Sequence, residues 1–212
     1  MLEQQLIVFL GKVRHAGATT AEWLNPGTNN FAGFDSVDAV TLHPDLQKLW
    51  KHFNGITCPD GTHLEYTWLD GQFAYFSVLE ALEDYQVSVP LWKQQADFEN
   101  YWPQGFVPIG TPGDGSRLLV NCCASSPTYG SVYVLMHGDG VSRMATSLTR
   151  YFQTLNVGFD ENAIVVTEQG EISYDFDAMR EIGMRINPGC DGFDPKLPTA
   201  SFSKDWIEKL GR

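Results

Sequence analysis

Positive charge is what this chain has least of: 14 Lys and Arg stand against 26 Asp and Glu in 212 residues, a formal net charge of −12. A nucleic-acid binder needs a basic footprint to displace counterions from phosphates, so DNA and RNA are excluded as partners. An anionic membrane surface is disfavoured on the same ground. Long apolar runs are missing too. The stretch 6–10 is too short for a signal peptide or a membrane span, and no later segment reaches about 18 apolar residues. A cytoplasmic protein is expected.

Cysteine is scarce, and its four copies (Cys58, Cys122, Cys123, Cys190) include no C-x-x-C pair. Neither a zinc ribbon nor a disulfide framework fits that pattern, which leaves reduced, buried thiols. Catalytic signatures are equally absent: there is no G-x-S-x-G elbow and no H-E-x-x-H, and the five histidines show no ligand spacing. The glycine-rich loop 110–116 follows a predicted strand, but a strand rather than a helix follows it and no P-loop lysine is present. It reads as a tight connection. The letters Asp191-Gly192-Phe193-Asp194 lack the length and closing Glu of a calcium loop. No cofactor, no metal and no enzymatic activity are therefore expected, and a hydrolase would need Cys58 and His63 to meet through the fold.

What is present is a core. Hydrophobic residues make up 43% of the chain, with 13 Phe, 8 Tyr and 6 Trp, enough to exclude an acidic disordered tail. Apolar spacing predicts a helix over 2–13. Thr19 and Glu22 have capping-box spacing for a short helical turn carrying Trp23. Pro44 and Asp45 announce a helix with Leu46, Leu49, Trp50 and Phe53 on one face, ended by a left-handed cap at Asn54-Gly55. Residues 63–69 and 73–76 read as strands about the Asp70-Gly71 turn. Ser77 and Glu80 open a helix with Leu79 and Leu82 inward.

After a looser stretch around Trp92, strands are expected at 106–109, 117–122 and 132–137, the last returning through Gly138-Asp139-Gly140 into 141–145. Ser147 caps a helix carrying Leu148, Tyr151, Phe152 and Leu155. A hairpin over 163–174, a helix from Asp175 or Asp177 to Ile186, and a last helix capped by Ser203 complete the chain. Strands bracketed by helices without strict alternation predict an α+β fold, a mainly antiparallel sheet flanked by helices. The expected organisation is one domain over 1–156 and a C-terminal hairpin and helix extension over 157–212, packed on the same core.

The acids are not spread evenly. Between Lys51 and Lys93 stand Asp60, Glu65, Asp70, Glu80, Glu83 and Asp84 with no Lys or Arg, and residues 151–179 carry six more acids, again without a base. Glu80, Glu83 and Asp84 share one helix face and repel mildly. The two readings are a solvated face and a surface kept negative to meet a basic partner.

Several motifs fall in a recognisable order. Tyr101-Trp102-Pro103-Gln104-Gly105-Phe106-Val107-Pro108-Ile109-Gly110 precedes Gly113-Asp114-Gly115 and the strand Leu118-Leu119-Val120-Asn121. Residues 46–53 end in Asn54-Gly55. Residues 73–82 lead from a strand into an S-x-x-E-A-L helix, and 130–137 with 147–155 give a strand and closing helix. Over roughly 40–156 the chain resembles the SUKH superfamily, which takes in fungal cell-wall and glucan-synthesis regulators and many bacterial toxin-immunity proteins. Asn121 stands where many members have Asp.

The resemblance implies a single α+β domain that binds a protein and catalyses nothing. The first expectation is an immunity-type protein that neutralises a cognate toxin, with the acidic balance pointing to a basic toxin domain such as a nuclease. Candidate contacts are Asp60, Glu65, Asp70, Glu80, Glu83, Asp84 and Asp114, with Trp68 or Trp102 as aromatic anchors. The second is a regulatory or scaffold protein like the fungal members.

Overall fold

The computed structural model describes residues 1–94, 102–137 and 140–193. Helix α1 (Leu2–His15) buries Leu2, Leu6, Phe9, Leu10 and Val13, the predicted stripe. A 3-10 turn at Thr19–Glu22 follows, with Trp23 just after it and no side-chain cap. A short strand β1 (Leu24–Pro26) pairs antiparallel with β2 (Phe53–Ile56). Between them runs α2 (Pro44–His52), where Pro44 pre-sets the first turn and the His43 imidazole Nδ1 accepts the Asp45 N–H at 3.2 Å. Its Leu46, Leu49 and Trp50 are buried, and the Trp50 indole donates to the Phe76 carbonyl at 3.0 Å.

Asn54-Gly55 does not cap α2 as expected. Phe53 is already extended (φ −154°, ψ 145°) and enters β2 directly. The pair instead serves the next helix, α3 (Val78–Gln94): Asn54 Oδ1 accepts the Val78 N–H at 2.8 Å. Gly55, at φ +79°, lies so near Ser77 that a Cβ would stand 2.4 Å from its backbone nitrogen. The Ser77–Glu80 capping box forms, Ser77 Oγ accepting from the Glu80 N–H and Glu80 Oε2 accepting from the Ser77 N–H. Leu79 points outward, 62% exposed, and the helix buries Val78, Ala81, Tyr85 and Val89 instead. It also runs on through an exposed Pro90 to Gln94, where a looser stretch was expected. Residues 63–69 contain a 3-10 turn at Leu64–Thr67 rather than a strand.

The main sheet has five antiparallel strands in order β3 (Ala74–Tyr75), β4 (Phe106–Thr111), β5 (Arg117–Asn121), β6 (Val132–Met136) and β7 (Gly140–Ala145). The β4–β5 register shifts between Pro108 and Gly110, where proline has no N–H to give the ladder. Alternate residues feed two cores. Val132 and Val134 join the core made with α1, α2 and α4 (Leu148–Asp160), whereas Tyr133 and Leu135 join a second one with Tyr85 and Val89 of α3, Trp102 and Phe106. Burial on both faces explains why these strands read as nearly continuous apolar runs. The order of helices and antiparallel strands makes the fold α+β.

Helix α4 begins where Ser147 Oγ accepts the Arg150 N–H. Strands β8 (Ile164–Val166) and β9 (Ile172–Tyr174) form the expected hairpin, and Asp175 caps α5 (Phe176–Ile186) by accepting from the Asp177 and Ala178 N–H groups. Helix α5 lies on α4: a Cβ on Gly158 would meet Met179 Sδ at 2.5 Å, and Asn187 Nδ2 donates to Thr154 Oγ1 at 2.8 Å. Met179, Ile182 and Ile186 join the first core.

The turn 189–193 then covers the outer edge of β7. The Arg143 N–H donates to Asp191 Oδ1 at 2.8 Å, and the Arg143 carbonyl accepts the Gly192 N–H at 3.1 Å. An edge strand so covered cannot pair with another chain there. The Gly138-Asp139 tip of the β6–β7 hairpin and the helix predicted from Ser203 lie outside the described residues. No helix among the described residues is long and apolar enough to cross a membrane.

Candidate functional site

Asp70, one of the predicted contacts, is buried. Its Oδ1 accepts the Gln72 and Phe73 N–H groups at 3.0 and 2.9 Å, and its Oδ2 accepts the Tyr75 and Tyr151 hydroxyls at 2.8 and 2.7 Å. Burial pushes its pKa above the ordinary carboxylate value, although the four hydrogen bonds pull the other way, that from Tyr151 most strongly. Burial and the neighbouring carboxylate push both tyrosines well up. This carboxyl ties the 70–75 turn to α4 and faces no partner, which corrects the surface reading. Trp102 is corrected likewise: it is 1% exposed and its indole donates to the Phe106 carbonyl at 2.8 Å.

Along α3, Glu80 and Glu83 are exposed, but Glu80 closes the capping box. Asp84 grips Arg117 of β5 with both oxygens, at 2.8 Å to Nε and 2.9 Å to Nη2. Asp60 is exposed, and the side chain of Glu65 lies outside the described residues. The second acidic stretch is also largely engaged within the chain. Asp160 pairs with Lys12, Glu161 with Arg185 and Asp177 with Arg180, and Asp175 caps α5. The two stretches adjoin at the Asp70 turn, through the Tyr151 hydroxyl on Asp70 and where a Cβ on Gly71 would lie 3.0 Å from Tyr174 Cβ.

That junction borders a groove of about 440 Å³. Its wall is mostly apolar: Phe73 beside the Asp70 turn, Met136 of β6, Met144 of β7, Tyr174 of β9, and Phe176 and Phe193 of the extension. Trp68 and Asp114 line it too, the two predicted contacts that the fold brings together. Asp114 is exposed, and the Ser116 N–H, donating at 2.8 Å, holds its carboxyl below the ordinary range. The Trp68 indole N–H is buried without an acceptor among the described residues. Phe176 is 70% exposed and Met136 45%, large apolar surfaces that folding leaves in water.

Met136, Met144, Tyr174, Phe176 and Phe193 were not among the predicted contacts. The one local signal was an aromatic between two aspartates, Asp175-Phe176-Asp177, at a helix start.

Cys58 and Cys122 are poor nucleophiles. Burial and the charge of Glu80 push Cys58 up, and burial takes Cys122 to about 12, the opposite of what an attacking thiolate requires. Among the described residues no three His, Cys, Asp or Glu side chains group as metal ligands.

The family model described as SMI1 / KNR4 family (SUKH-1) matches residues 39–154, more than half of the chain. No curated protein matches significantly. The match begins just before α2 and ends within α4, so β8, β9 and α5 lie outside it.

Proposed function

The chain belongs to the SMI1 / KNR4 family (SUKH-1), and from that premise we propose that it is a non-catalytic protein-binding module of the bacterial immunity type, neutralising a cognate toxin by stoichiometric binding. The observation that carries this reading is the family match itself. The raised Cys58 thiol supports it, because it leaves the hydrolase reading on Cys58 and His63 without an activated nucleophile. The net charge of −12 supports a basic toxin, for which long-range attraction speeds encounter.

The test is affinity capture of the full chain from its native host, followed by reconstitution with the purified partner. A tight one-to-one complex with a protein that stops growth, and growth restored on co-expression, is the expected result. Partners that are harmless and belong to wall synthesis or signalling would replace this reading with the regulator one. Reversing the charge of Asp60 and Glu83, both exposed, tests the electrostatic part, since an unchanged on-rate and salt slope would refute it.

A further inference from the structure

The groove beside the Asp70 turn draws its wall from two parts of the chain. Met136 and Met144 belong to strands inside the family match, whereas Tyr174, Phe176 and Phe193 lie beyond residue 154. Resting on the protein-binding reading above, we propose that this groove is where the partner docks. Its occupant is an apolar side chain, leucine-like or aromatic, carried on a lysine- or arginine-rich segment of a basic protein.

The apolar half of the argument is the wall. Phe176 stays largely, and Met136 nearly half, in water, and methionine and aromatic side chains are what interfaces use as anchors, the first for adaptability and the second for area. At about 440 Å³ the groove lies within the usual range for a ligand site, about 300–1,000 Å³.

The polar half is the charge around it. Asp114 lines the groove, and Asp175 and Asp177 flank Phe176 in the chain; against them Arg180 is the lining base, and it is already paired with Asp177 at 3.0 Å. A cationic segment meets attraction there, and the overall excess of acid steers it in from a distance. With part of the wall outside the family match, Tyr174, Phe176 and Phe193 are the residues that set which partner fits.

The test is a methyl-NMR titration of the full chain with a synthetic peptide, Lys-Lys-Leu-Leu-Lys-Lys, and its Lys-Lys-Ala-Ala-Lys-Lys control. Saturable shifts of the Met136 and Met144 methyls with the leucine peptide alone are expected. Phe176→Ala, at a position 70% exposed whose ring meets Tyr174 at 5.0 Å between centroids, weakens binding about fivefold or more, the size of an interface anchor. Shifts confined to the Glu80 and Glu83 face, no shift at millimolar peptide, or indifference to Phe176→Ala would each overturn the proposal. So would groove methyls that shift with protein concentration alone, which would assign the groove to a second copy of the chain. A reconstituted toxin complex indifferent to Phe176→Ala counts against the groove only; a host with no stoichiometric partner counts against the protein-binding reading only.

Discussion

Replacing Asp70 by asparagine tests whether one buried carboxyl holds the turn at the groove in place. Four donors converge on two oxygens, two backbone N–H groups on Oδ1 and two tyrosine hydroxyls on Oδ2. An asparagine keeps one carbonyl oxygen for one pair and turns an NH2 group toward the other. Two hydrogen bonds are lost with their donors left unpaired, at about 1–3 kcal/mol each, and the burial penalty of the charge is removed with them, so the expected net loss is about 1–3 kcal/mol. A domain of this kind has roughly 5–15 kcal/mol in total, and urea unfolding followed by tryptophan fluorescence resolves the difference. Tyr75→Phe and Tyr151→Phe each remove one bond and leave three, for about 1.5 kcal/mol apiece, and they remain readable where Asp70→Asn does not fold.

The pH profile carries a sign. Burial raises the folded pKa of Asp70 above the ordinary 3.8, so between those two values the folded state holds the extra proton. The contribution of Asp70 to stability therefore grows as pH falls through the raised pKa and levels off below 3.8. The difference between wild type and Asp70→Asn should follow that curve. A loss below about 1 kcal/mol for Asp70→Asn, with no loss for either tyrosine variant, would refute the four-donor reasoning.

Three further perturbations follow from contacts described above. Ser77→Ala removes the cap of α3 and should cost about 1 kcal/mol by thermal unfolding. Gly55→Ala places a Cβ 2.4 Å from the Ser77 nitrogen at φ +79° and should cost about 2–4 kcal/mol, seen as a lower urea midpoint with unchanged slope. Asp84→Ala breaks a two-pronged pair with Arg117 whose side chains are 18% and 19% exposed; a loss of about 2 kcal/mol is expected in chemical denaturation, and it should persist in high salt.

Local chemistry was legible in the chain and tertiary placement was not. Pro44 pre-sets the first turn of α2, and Ser77, Ser147 and Asp175 stand where their side chains satisfy orphan N–H groups two or three residues on. Asn54-Gly55 reads as a cap of α2, but its function is non-local: its partner is the Ser77–Val78 start of α3, more than twenty residues on. Asp70 reads as a turn residue and stands in one, yet its burial depends on Tyr151, 81 residues away, and an acid with no visible partner reads as surface. The groove was hidden for the same reason, since its wall joins residues from 68 to 193. Phe176 sits three residues before buried Met179 and would be taken for core by spacing alone, but it overhangs the first turn of α5 and stays exposed.

The cover on β7 also has a timing. Arg143 and the Asp191 that closes its edge are 48 residues apart in the chain, so during synthesis at about 5–20 residues per second the strand edge waits roughly 2–10 seconds for its cover. For that interval the nascent sheet presents an unpaired strand to its neighbours on the same message. The covering turn is thus the last stitch of the described fold, and the speed at which residues 144–191 are made sets how long the seam stays open.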